Sequence, residues 1–348
     1  MKSDKKQMIP VSSHEHDEAM FFQSISELVK QAQRTLARAV NNTMVVTYYE
    51  IGRRIVEREQ QGAQRAQYGK RVLQSLSDYL TAELGKGYSV DNLKLIRQFY
   101  LAYSTNAIGE TVFHQFSPNI GWSHYIQLMR IKDVNERRFY EIEIADNRWS
   151  FREFQRQYDT SLYERLALSR DKEKVRELAE KGHVVETPLD LFKDPYVLEF
   201  TGLPEKTNYT ETELEQKIID HLQHFLLELG KGFTFVGRQE RFTFEEESFY
   251  VDLVFFNRLL RCFVLLDLKI GKLKHQDIGQ MQTYVNYYDR KVKLPEENPT
   301  IGIVLCKDKK DALVEMMLPE ENRQIFASRY QTVLPSKEEL RKALEIEE

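Results

Sequence analysis

A chain of 348 residues is long for one compact core, and 41% hydrophobic with 30% charged residues describes a globular protein rather than a disordered one. No run of 18 apolar residues occurs and the N-terminus lacks the apolar heart of a signal peptide, so the expectation is a cytoplasmic protein without a membrane span. The net charge of −4 confines any nucleic-acid binding to a local patch, and Cys262 and Cys306, far from any His/Cys cluster, argue against zinc or a disulfide framework.

Residues 1–17 are polar and unpatterned, the expected signature of a flexible tail. Helical text follows. "ISELVKQAQRTLARAV" repeats apolar residues near the 3.6-residue period, and "YGKRVLQSLSDYLTAELGKG" does so until Gly85 and Gly87 end it. Ser89 is the expected N-cap of "VDNLKLIRQFYLAY", and Ser123 and Ser150 are expected to cap later helices. Residues 51–140 hold 13 Lys and Arg against 8 Asp and Glu. The helix, glycine turn and helix there suggest a helix-turn-helix-like unit, with Lys94 and Arg97 as candidate DNA contacts; a protein-binding or dimerising bundle would read the same way. The "ELGKG" repeat lacks the Lys-Ser/Thr of a phosphate loop and reads as a reused helix terminator.

The expected division is an all-α N-terminal domain over 18–170, a charged helical linker over 171–190, and an α/β domain over 191–348 able to fold without residues 1–170. In the last, "ETELEQKIIDHLQHFLLELGKG" reads as one amphipathic helix. Strand text follows in "FTFVGRQERFTF", "SFYVDLVFFN" and "LRCFVLLDLKI", then helical "DIGQMQTYVNYYDR" and a buried strand in "PTIGIVLCK". His221, His224 and His275 read as surface residues.

Two of these strands carry an acid at the centre of an apolar run, Asp252 and Asp267, with Lys269 two residues on. Alternation puts Asp267, Lys269 and Leu265 on one face. A turn at Leu259 and Leu260 pairs positions whose numbers sum to 519 and sets Asp252 opposite Asp267, close enough for both to reach one ion. Two adjacent carboxylates disfavour each other's charge, and a hard divalent cation offsets that cost. A neighbouring ammonium can then orient water or stabilise phosphate charge.

Asp252 followed by Asp267-Leu268-Lys269 resembles the D…(D/E)-x-K signature of the PD-(D/E)XK nuclease superfamily, with Val251 where the name has proline. "GRQERF", "FYVDLVFFNRLLRCFVLLDLKIG", "GQMQTYVNYYD" and, near the N-terminus, "WSHYIQLMRI" resemble the bacterial YhcG-like family over nearly the whole chain. The resemblance implies a restriction-endonuclease-like fold, a central mixed sheet flanked by helices, and an Mg²⁺-dependent DNA endonuclease in which Mn²⁺ substitutes. It implies metal ligands Asp252, Asp267 and a helix acid, Glu215 or else Glu213. Lys269 and Gln280 join the catalytic set, and Arg238 and Tyr284 are candidate DNA contacts, with core packing the competing reading of Tyr284. The implied substrate is duplex or branched DNA, and a homodimer is needed to cut both strands, since each chain carries one such set. The reading from a different class is a non-catalytic DNA- or protein-binding module on a nuclease-like fold.

Overall fold

The computed structural model of the chain describes residues 13–61, 66–104, 116–168, 172–206, 208–310, 314, 316–319 and 321–346. The chain forms two compact units. One comprises residues 1–132 and 144–151, and the other 133–143 and 152–348.

In the first unit a 49-residue helix, α1 (Ser13–Gln61), is followed by α2 (Ala66–Leu84), α3 (Val90–Tyr103) and the short α4 (Trp122–Leu128). The expected tail is thus helical from Ser13 on, while residues 1–12 lie outside the described residues. Gly85 and Gly87 adopt the positive φ that ends α2 without a Cβ penalty, and Ser89 caps α3 by accepting the Asn92 N–H. Gly121, not Ser123, caps α4. The C-terminal part of α1 packs on α3 so closely that a side chain at Gly52 would strike the Ile96 carbonyl. Phe99, fully buried, sits among Tyr49, Phe116, Trp122 and Tyr125 with ring centroids 5.0–6.0 Å away.

Helix α5 (Val134–Asn147) begins in the second unit and ends in the first. The second unit continues with α6 (Phe151–Asp159), α7 (Leu162–Leu168) and α8 (Lys172–Lys181). The two-residue strand β1 (Tyr196–Val197), α9 (Glu211–Asp220) and α10 (Leu222–Leu229) come next. They are followed by β2 (Phe233–Phe244), β3 (Glu247–Asn257), β4 (Cys262–Lys272), α11 (His275–Tyr287), β5 (Ile301–Asp308), β6 (Ile325–Gln331) and α12 (Lys337–Ile346). The strands form one sheet in the order β1-β6-β5-β4-β3-β2, parallel from β1 to β4 and antiparallel from β4 to β2. Leu214, Ile218, Phe225 and Leu229 of α9 and α10 cover one face, over Leu253, Phe255, Val264, Leu266 and Ile303. Ile278, Met281 and Val285 of α11 cover the other, over Val254, Leu265 and Val304. The architecture is the expected mixed sheet flanked by helices.

Three expectations change. The single helix over 211–232 is two helices, because His221 leaves helical geometry at φ −120°, ψ 33°. Residues 171–190 are not a free linker. Leu178 is fully buried, and the His183 N–H donates to Glu143 at 2.7 Å. The compact units also divide earlier than residue 170. Arg156 on α6 binds Glu199 at 2.8 Å and Arg165 on α7 binds the buried Glu228, so charge pairing draws both helices into the second unit.

Candidate active site

The ladder between β3 and β4 pairs Leu253 with Leu266 and Asn257 with Cys262, which is the register summing to 519. The turn is four residues, Arg258–Arg261, rather than two, and its symmetric extension leaves the register unchanged. The recorded pairing stops at Leu253 and Leu266, one step short of Asp252 and Asp267. There a side chain takes over the ladder's role: Asp252 Oδ2 accepts the Leu268 N–H at 2.7 Å.

Opposite Asp252 on β2, Gln239 has φ 49°, a left-handed conformation uncommon for a residue with a Cβ. Strain of that kind persists where surrounding contacts hold it. Here the Gln239 amide donates to Asp252 Oδ1 at 3.0 Å and to Glu215 Oε2 at 2.6 Å, joining the strand acid to the helix acid. Glu215 is 4% exposed on α9, and Arg238 Nε lies 3.0 Å from its Oε1. Glu213 is occupied differently: its carboxylate accepts the Thr210 N–H at 2.7 Å and completes the capping box of α9. The structure therefore brings Glu215, and not Glu213, to Asp252.

Asp267 is 1% exposed, and Lys269 Nζ is 2.7 Å from its Oδ2. Burial and then the charge of Asp252 push the Asp267 carboxyl up to about 7, against the pull of Lys269. Burial alone would lower the Lys269 ammonium, but Asp267 holds it above its usual value. The Glu215 carboxyl is raised as well, chiefly by burial.

The other expected residues fall into three groups. Gln280, half-buried on α11, donates to the hydroxyl of Tyr284, which donates to the Tyr250 carbonyl at 2.7 Å. Tyr284 is fully buried in the α11 layer, so the expected DNA contact there is corrected to core packing that tethers β3 two residues before Asp252. Arg238 is partly exposed and held by Glu215 and, at 2.9 Å, by Gln216. Lys94 and Arg97 lie on α3 in the other unit. Lys94 pairs with Asp91 at 2.8 Å and Arg97 with Glu59 at 2.6 Å, so each cation already has a carboxylate.

Sequence reasoning missed Gln239, whose side chain is the link between Glu215 and Asp252. "GRQERF" carries no signal for it, because a polar residue on a strand normally faces solvent. It also missed Glu211, whose carboxylate accepts the Ile270 N–H at 3.4 Å just beyond Lys269.

Whether these residues suit a divalent cation can be judged from their oxygens. Glu215 Oε1 and Asp267 Oδ2 are buried, and each is met by a single cationic side chain, Arg238 at 3.0 Å and Lys269 at 2.7 Å. Hard carboxylate oxygens in that condition are what Mg²⁺ prefers. Among the described residues no group of three acids, histidines or cysteines is already closed around a point. The Gln239 amide bridges Glu215 and Asp252, and the donor set fits the ion in chemistry.

The raised Asp267 pKa gives an expected pH dependence. The folded carboxyl keeps its proton up to about pH 7, whereas the unfolded one releases it near 3.8, the ordinary value for an aspartate. Its contribution to stability is full below about pH 4 and is lost as pH rises through 7, by no more than about 4 kcal/mol. Urea unfolding in EDTA at pH 5 to 8 should show this slope in the wild type and lack it in Asp267→Asn. An equal slope in both would reject the assignment.

Comparison with known protein families finds that residues 189–345 match the family described as YhcG PDDEXK nuclease domain, and residues 24–165 match the DUF1016 N-terminal domain. A curated relative, "Putative nuclease YhcG" of Escherichia coli (strain K12), is 38% identical over 342 residues, covering 91% of this chain and 90% of the relative. Among solved structures, a repair endonuclease from Pyrococcus abyssi aligns at 16% identity over 38% of this chain and 50% of that one, with a TM-score of 0.25. An EndoMS–dsDNA complex aligns at 17% identity over 38% and 49%, also with a TM-score of 0.25.

Proposed function

Because the chain belongs to the YhcG family, with a PDDEXK nuclease domain behind a DUF1016 N-terminal domain, we propose that it is a divalent-metal-dependent DNA endonuclease. The observation that carries the reading is Asp267, a fully buried carboxylate beside Asp252, whose Oδ2 is met by the Lys269 ammonium at 2.7 Å. Two acids and an ammonium gathered in an apolar setting are what a metal-dependent phosphodiesterase needs.

Asp252, Asp267 and Glu215 are the residues that would hold Mg²⁺, or Mn²⁺ in its place. The ion supplies Lewis acidity and a water of lowered pKa for phosphodiester hydrolysis. Lys269 places its ammonium beside Asp267, where it orients water or stabilises charge on a phosphate oxygen. Gln239 holds Glu215 and Asp252 side by side, where both would reach the ion, and Gln280 with Tyr284 keeps β3 in position. Arg238, at the rim of the pair, meets the phosphate backbone. The substrate is DNA, duplex or branched, and the working place is the cytoplasm. No helix among the described residues is long and apolar enough to cross a membrane.

The competing reading is a non-catalytic nucleic-acid or protein-binding module. What favours it is that both oxygens of Asp252 already accept hydrogen bonds from Leu268 and Gln239, as a structural acid's would. Labelled linear, branched and single-stranded DNA incubated with the full chain in Mg²⁺ or EDTA decides between them. Products that form in Mg²⁺ and vanish in EDTA are expected, and binding without cleavage under both conditions would leave the non-catalytic reading.

A further inference from the structure

The N-terminal half of α1 is helical yet unpacked. Residues 45–56 of the helix bury Val45, Val46, Tyr49, Ile55 and Val56. By contrast Phe21, Phe22, Ile25, Leu28, Val29 and Leu36 are each 45–66% exposed. Soluble monomers rarely present so long an apolar surface, and an isolated helix of this length is marginal in water without a partner.

The order of these residues says what the partner is. Phe22, Ile25, Val29, Ala32, Leu36 and Ala39 follow one another at intervals of three and four, the a and d positions of a heptad, and Phe21 and Leu28 fall beside the seam. Every side chain on or flanking the seam from 21 to 40 is uncharged: Ser26, Gln33, Thr35 and Val40 complete it. Glu27 and Lys30 lie on the outer side. Partner choice in paired helices is usually written in charges flanking the seam. A seam without them raises no repulsion against its own copy, and a self-complementary patch is what a two-fold dimer requires. Together with Met20 and Val40, both 52% exposed, these side chains at roughly 100 Å² apiece bring the buried area toward the roughly 800 Å² per partner of a standard interface.

We propose that residues 20–40 of α1 pair with the same residues of a second copy of this chain, forming a homodimer through an apolar heptad seam. The pairing stands apart from the nuclease reading, and it supplies the second catalytic unit that cutting both strands would need.

Sedimentation of the full chain across 0.5–50 μM, an order-of-magnitude range around typical dimer affinities, should show a dimer. Val29→Glu and Leu36→Glu place charges on exposed seam positions away from the buried core, so the monomer should stay folded while association weakens at least about 100-fold. Helix content should fall with it, since the unpaired half frays. A Val29→Cys chain should cross-link between copies under mild oxidation and a Lys30→Cys chain should not; the native cysteines, both buried, do not compete. A wild type that stays monomeric at every concentration overturns the proposal and assigns the face to another part of the chain. Charged variants that remain dimeric overturn it too, as does a wild type holding more than two copies.

Discussion

Asn in place of Asp267 is expected to lower Mg²⁺-dependent cleavage by at least on the order of 10²–10³-fold while leaving the metal-free protein as stable as the wild type or more so above pH 7. The wild type keeps a buried carboxyl whose ionised form is disfavoured by burial and by Asp252, and the amide removes that cost. Asp252→Ala should abolish cleavage equally but behave differently in EDTA. Asp252 accepts the Leu268 N–H at the point where the ladder opens, and its loss leaves that N–H without an acceptor, at a cost of about 1–3 kcal/mol. The two acids, equivalent as ligands, are therefore distinguishable as structural groups. Mg²⁺ at 100 times its Kd should raise wild-type stability by about 2.7 kcal/mol, and both variants should lose that gain. Lys269→Ala should keep much of the gain and still fail to cleave, because the role proposed for the ammonium is on water and phosphate rather than on the cation. Thermal melts with and without Mg²⁺ alongside cleavage assays check all three. Cleavage surviving in Asp267→Asn would remove the acid from the mechanism.

What the sequence reveals and what it hides follow from the range of the forces involved. The β3–β4 register is legible from the turn: the expected two-residue turn and the four-residue one have the same centre, so the paired positions are unchanged, whereas alternation is weak evidence in a sheet covered on both faces. Glu215 is half legible: it adjoins Leu214 on the buried side of α9, but only the fold shows that Glu213 is spent on a cap. Gln239 is not legible, since its left-handed backbone is imposed by contacts with Glu215 and Asp252 that come from other elements. The break at His221 escapes periodicity because Ile218, Leu222 and Phe225 keep nearly the same spacing across it. The strand β1, only two residues long, exists by pairing with β6 some 130 residues away, and no local pattern announces it. The family matches over 24–165 and 189–345 follow the expected domains, but the compact units divide elsewhere, because buried charges pair with partners distant in sequence.

Those charges carry the second large expectation: Glu228→Gln should destabilise the protein by about 3–5 kcal/mol although it lies outside the catalytic set. Glu228 and Arg165 are both fully buried and paired, and Glu228 also accepts the Val197 N–H at 3.0 Å. Lys193, 1% exposed, donates to the Glu228 backbone carbonyl. Burial opposes ionisation of Glu228, but Arg165, Lys193 and Arg156 together outweigh it and hold the carboxyl at about 2. Burial lowers Lys193 to about 8. Glutamine keeps the shape and removes the charge, so the buried cations are left in excess. Because the folded pKa lies below the unfolded one, the Glu228 contribution is full above about pH 4.5 and is lost as pH falls toward 2. A double variant, Glu228→Leu with Arg165→Met, should regain most of the loss, since replacing a whole buried pair with apolar groups is often neutral. The same cluster bears on truncation. A chain starting at residue 171 loses Arg156 and Arg165 and should melt well below one starting at Asp133, which keeps both, contrary to the expectation that the domain folds without residues 1–170. Melting curves of the two truncations at pH 7 and pH 3 test this. Equal stability at pH 7 would show that the arginines do not hold the catalytic unit together.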